Sequence, residues 1–141
     1  MLTEQGGVLY AKQLFRADLS IPASGNYFVG LCGTGVDAAD TLLEVPNEPS
    51  AAGGYARLPV TRDLAGWPSI VTANGVTRVT SKLISFTAVG ADFDQPIYRL
   101  FLCDVVSGTV GNLLGYSAPF LAPITLTDGE TLPVQYAYDL G

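Results

Sequence analysis

The sequence predicts an all-β chain, an antiparallel β-sandwich (jelly-roll-like) of about eight to ten short strands with a short N-terminal helix. Three observations carry this. Short apolar and β-branched runs recur about every 8–12 residues with turn residues between them. In "SIVTANGVTRVT", β-branched residues flank Asn74-Gly75, the favoured pair for a two-residue type I′ hairpin. The longest uncharged run, Val105 to Thr127, holds Gly108, Gly111, Gly115, Pro119 and Pro123, so it reads as two strands and a loop, not as an apolar helix.

The elements follow in order along one domain, residues 1–141, with 1–18 as a helical arm. Val8, Ala11, Leu14 and Phe15 fall at helical spacing, with Lys12, Gln13 and Arg16 on the other side and Thr3 as N-cap. Gly6-Gly7 weakens the first turn, which places the helix start at Val8. Leu14 and Phe15 form the face that docks on the domain or on a neighbour. After Pro22 the pattern is β: "NYFVGLC", "TLLEV", "YARLPVT", the hairpin, "KLISFTAV", "IYRLFLCDV", "NLLGYSA", "ITLT" and "TLPVQYAYDL", with Asp128-Gly129 at the last turn.

Composition narrows the function. Of 141 residues 48% are hydrophobic and only 14% charged, against about 25% in an average protein. Much of the surface is therefore neutral, as surfaces that meet other proteins commonly are. The net charge is −6, and the seven basic residues are scattered, which excludes nucleic acid and anionic membranes as partners. Histidine is absent, which removes the commonest general base and metal ligand and every Ser-His or Cys-His arrangement. The opening "MLTEQGGVLYAKQLF" is polar, carries Glu4 and lacks a secretory apolar core, so a soluble protein is expected.

No chemical motif survives inspection. Cys32 and Cys103 read as small buried hydrophobes, not as a disulfide or a catalytic thiol. Asp92 and Asp94 could hold Ca²⁺ weakly, but a solvated turn before Pro96 explains them better. Asp104, Asp128 and Glu130 could pair as glycosidase carboxylates, a pattern that any chain with thirteen acids permits. The glycines form no phosphate cradle ahead of a helix. No catalytic, metal or cofactor site is expected. Tyr10, Tyr27, Tyr55, Trp67, Tyr98, Tyr116, Tyr136 and Tyr138 could line a sugar-binding surface. Core packing is the default for the strand residues, and Trp67, between Gly66 and Pro68, is the exposed anchor.

Three segments together resemble a family of small bacteriophage proteins, tail-fibre-like or minor virion structural proteins. "GGYARLPVT" matches a G-G-Y-A-R-x-x-V motif before a β segment. "YRLFLCDVVSGTVGNLLGYSA" is similar to the family's apolar strand, Asp, small-residue loop and N-L-L-x-Y. "PITLTDGETLPV" is similar to the ending P-x-x-(V/I)-x-x-G-(D/E)-T-L. The sequence departs from the family in the cysteines that end both central strands and in an added hairpin within Pro68 to Lys82. The resemblance implies a β-sandwich virion component and brings no catalytic residues.

The expected function is thus non-enzymatic: a virion structural protein, a capsid decoration or cement protein or a small adaptor on capsid or tail. It would be assembled in the bacterial cytoplasm, with the major capsid or tail protein as partner and a homo-oligomer, such as a trimer, as its state. A receptor- or glycan-binding tail-fibre module that recognises a host glycan is the alternative, and a glycan hydrolase the remote one. Pro59 cannot donate a ladder hydrogen bond, so "YARLPVT" is expected at a sheet edge. Its Tyr55, Arg57 and Pro59 would share one face and, with Trp67, form the subunit contact.

Overall fold

Helix formation begins where the two glycines argued against it. In the computed structural model, which describes residues 1–11 and 25–140, helix α1 spans Glu4–Ala11 and includes both Gly6 and Gly7. Thr3 is its N-cap, as predicted: the Thr3 hydroxyl accepts from the Gly6 amide at 3.0 Å and donates to the Leu113 carbonyl. The start precedes Val8 because Gly6 serves packing. A Cβ there would stand 2.3 Å from the Leu114 carbonyl oxygen, so only glycine lets the helix lie this close to the sheet. Leu14 and Phe15 lie outside the described residues.

The described residues form nine strands in antiparallel sheets, an all-β, sandwich-like fold. They are β1 (Asn26–Cys32), β2 (Leu58–Thr61), β3 (Ser69–Ala73), β4 (Val76–Thr80), β5 (Ile84–Thr87), β6 (Arg99–Cys103), β7 (Leu113–Tyr116), β8 (Thr131–Val134) and β9 (Ala137–Leu140). One sheet runs β2-β1-β6-β7, a second β3-β4-β9, and β5 pairs with β8. The bounds of β1 are those read from the sequence. Asn74 and Gly75 take φ of 51° and 78°, the two positive values that a type I′ hairpin requires. Pro59 does place β2 at a sheet edge. Among the described residues no helix is long and apolar enough to cross a membrane.

Four expected strands came out differently. "TLLEV" is a 3₁₀ turn, Leu42–Glu44, because the Thr41 amide and hydroxyl both donate to the Glu44 carboxylate, at 2.7 and 2.9 Å. "YARLPVT" is extended only from Leu58, after a 3₁₀ turn at Ala52–Gly54. "ITLT" keeps a single bridge, Ile97 to Ile124. "TLPVQYAYDL" breaks into β8 and β9. Ser81 captures Tyr136, bonding its carbonyl through the backbone amide and its amide through Oγ, each at 2.8 Å. That capture moves the chain from the β5 sheet to the β4 sheet.

The four-stranded sheet is apolar on both faces, which explains the unbroken hydrophobic runs of β1 and β6. One face joins Val29, Leu31, Leu100 and Leu102 to Phe86, Phe93, Val134 and Tyr136. The other joins Phe28, Cys32, Phe101 and Cys103 to Val36 and Leu42 from the long loop after β1. Register shifts between Leu102, opposite Gly115, and Cys103, opposite Leu113, which leaves Leu114 as a bulge. Leu113 and Leu114 are thereby buried in different clusters. The freed Leu114 carbonyl accepts from the Thr3 amide at 3.1 Å and the Tyr138 hydroxyl at 3.0 Å.

The two helix glycines should therefore respond in opposite ways. Gly7→Ala meets only a side-chain methyl at 3.7 Å and should stabilise by about 0.5–1 kcal/mol. Gly6→Ala must push α1 off the sheet and should destabilise by about 1–3 kcal/mol. Urea unfolding of the two variants beside wild type gives the signs.

Candidate functional site

Tyr55 and Arg57, expected as an exposed contact face, are buried at 8% and 5% exposure. Alternation holds from Tyr55 to Arg57, with exposed Ala56 between two buried residues, but their shared side faces inward, after a turn in which Gly53 and Gly54 take φ of 66° and 73°. Tyr55 points into the cluster that contains Phe86 and Phe93, whereas Arg57 lies 5.2 Å over the Phe101 ring of the other cluster. Both reach Glu48. The Tyr55 hydroxyl donates to Glu48 Oε1 at 2.9 Å and accepts from the Leu31 amide at 3.0 Å. Arg57 Nε and one terminal nitrogen hold the two Glu48 oxygens at 2.8 Å each. Its terminal nitrogens also donate to the Val105 and Gly108 carbonyls, at 3.2 and 2.9 Å. Burial is the largest single influence on Arg57 and lowers its pKa, but the bond to Glu48 together with the charges of Cys103, Glu48 and Tyr55 makes the net shift upward. This is structural machinery. Of the expected face only Pro59 is exposed.

Trp67 is half-buried and packs against the core instead of standing free. It forms one wall of a cavity of about 520 Å³ between the four-stranded and three-stranded sheets. The turn from Thr61 to Trp67 is set by Asp63, which accepts from the Thr61 hydroxyl at 2.7 Å and the Gly66 amide at 2.9 Å. Those bonds, the hydroxyl first, hold the Asp63 carboxyl below its usual range. Gly66 is required there, since a Cβ would meet the Thr61 carbonyl oxygen at 2.0 Å. Tyr10 enters from α1, Tyr27 from β1, and Tyr138 from β9, with Arg62 5.3 Å over the Tyr27 ring. Ile70 and Val79 come from the hairpin, and Leu102 and Leu114 form the floor. Four of the eight aromatics named from sequence thus converge, while Tyr55, Tyr116 and Tyr136 are core. Arg62 carried no sequence signal, because nothing in its local pattern distinguishes it from a solvated arginine.

The acids close turns. Asp104 accepts from the Asn112 amide and side chain, both at 2.7 Å, Asp128 from the Gly90 amide at 2.8 Å, and Glu130 from the Thr127 hydroxyl at 2.6 Å. Asp92 accepts from the Asp128 amide at 2.8 Å and Asp94 from the Ser50 amide at 2.9 Å. Among the described residues no three His, Cys, Asp or Glu side chains gather as a metal site. Cys32 and Cys103 are free and buried. In register Cys103 opposes Phe28 and Cys32 opposes Arg99, which separates them by about 13 Å of strand. A disulfide would need Cα atoms within about 7 Å.

The chain matches no protein-family model and none of the curated proteins with which it was compared.

Two outcomes follow from these side chains. Arg57→Ala or Glu48→Ala should each lower stability by about 3–5 kcal/mol by stranding a charge, and the double variant should lose less than the sum. A denaturation double-mutant cycle measures this. Burial raises the Cys32 thiol to about 12 and the Cys103 thiol to about 11, from an ordinary 9.0. Their contribution to stability is whole below pH 9.0, where both states hold the proton, and is lost as pH rises through the folded values. Burial of Tyr55, Tyr136 and Tyr138 acts in the same direction. The urea midpoint should fall steadily across the alkaline range.

Proposed function

We propose that this chain is a structural protein of a bacteriophage virion, a decoration or cement protein or small adaptor, that acts by protein–protein assembly. The sequence resemblance supports the setting, and one structural feature supports the mechanism. Among the described residues strand β3 ends the β3-β4-β9 sheet with neither charge nor proline, and its Ile70 and Val71 are 68% and 59% exposed. An apolar edge with open backbone donors and acceptors is a template for another strand.

The comparable edges are guarded. Leu2 bridges Gly115 and Thr3 donates to Leu114, which covers β7. Pro59 blunts β2, and β9 carries Asp139. The open edge belongs to the hairpin by which the sequence departs from the family it resembles, so the edge serves this chain's own assembly. Antiparallel pairing of two β3 strands centred on Val71 would join two three-stranded sheets. It would set Val71 against its copy with no like charges opposed.

Light scattering across a concentration series should show self-association of the wild type. Val71→Lys should weaken it by about tenfold or more, because a lysine pair would face itself at the centre of the joint. Two equally monomeric proteins would remove β3 from the mechanism.

A further inference from the structure

We propose that the cavity beside Trp67 is a carbohydrate site that takes a neutral sugar of a few pyranose rings. The proposal goes beyond assembly and holds whether or not the chain self-associates. The volume of about 520 Å³ lies inside the range of about 300–1,000 Å³ usual for small-ligand sites. Tyr10, Tyr27, Trp67 and Tyr138 line it, and aromatic rings are surfaces on which the C–H face of a sugar stacks. Tyr138 is held in place by its bond to Leu114, and Tyr27 by the Arg62 guanidinium over it.

Polar chemistry selects among occupants. Arg62 and Asp63 enter side by side, one a fan of donors and the other an acceptor. Among the described residues no carboxylate forms an ion pair with Arg62. Asp63 already accepts from Thr61 and Gly66, so the selection falls to Arg62: a hydrocarbon would offer its guanidinium no acceptor, whereas a polyol offers hydroxyl oxygens. The two charges cancel at the site while the chain carries −6, so an anionic sugar would be repelled overall and a neutral one would not.

The sole tryptophan of the chain is Trp67, so intrinsic emission reports on the site directly. The probes are maltotriose, mannotriose, galactobiose and chitotriose, titrated into the full chain and, separately, into the Val71→Lys variant to remove any effect of assembly. At least one sugar should change the emission saturably, with equal affinity in both proteins. Tyr10→Ala, on an exposed side chain, and Arg62→Ala should each weaken that affinity by about tenfold, with circular dichroism unchanged. Arg62→Lys should recover only part of it, since an ammonium cannot reproduce the planar stack on Tyr27. No saturable response to any sugar overturns the proposal. So does a response that survives both alanine changes, or uptake of an apolar fluorescent dye with no response to sugar.

Discussion

The ion pair between Arg57 and Glu48 is the interaction on which the rest of the sandwich rests. Removing a guanidinium from water is costly, and the cost is offset only because nearly every donor it carries finds a partner. Those partners come from separate stretches: Glu48 from the loop after β1, and the Val105 and Gly108 carbonyls from the loop after β6. Tyr55 adds the Leu31 amide of β1 through its hydroxyl. One carboxylate therefore joins the entry of β2, a central strand and two long loops. The pair also ties the two apolar clusters together, since Tyr55 belongs to one and Arg57 lies over Phe101 of the other.

The motif that suggested an assembly face has this network as its physical content. A Cβ at Gly53 would stand 2.6 Å from the Ala91 carbonyl oxygen, and its φ of 66° is one that other residues resist. The glycines set the turn, Tyr55 and Arg57 then both face inward, and both converge on Glu48. Burial, not exposure, is what those residue types achieve here.

Most of the β pattern was legible because its causes are local. β1 is a run of apolar residues bounded by turn formers, and the Asn74-Gly75 hairpin is written in two residues. The failures share a cause, which is a side chain or turn that competes with extended backbone. Glu44 folds back on Thr41, Ser81 captures Tyr136, and Gly53-Gly54 delays β2. None of these partners is visible in a period-two pattern. The cavity was half legible. Its aromatics were named, but Tyr10 and Tyr138 lie at opposite ends of the chain, and only the three-dimensional fold brings them to Trp67.

The hairpin β3–β4 shows how one short strand can serve two proposed roles without conflict. Ile70 opposes Val79, which opposes Tyr138, and all three line the cavity. Val71 opposes Arg78, which pairs with Asp139 on the outer face at 2.7 Å. That pair is exposed and contributes little to stability, so the outer face is free to be shaped by contact with another molecule. Strand alternation thus assigns neighbouring residues to different faces: an even position to the ligand wall and an odd one to the outer face. A change at Val71 can alter assembly while the cavity wall keeps its residues, and a change at Arg62 or Tyr10 leaves the edge untouched. The two roles can therefore be tested separately, although both depend on the same five-residue strand.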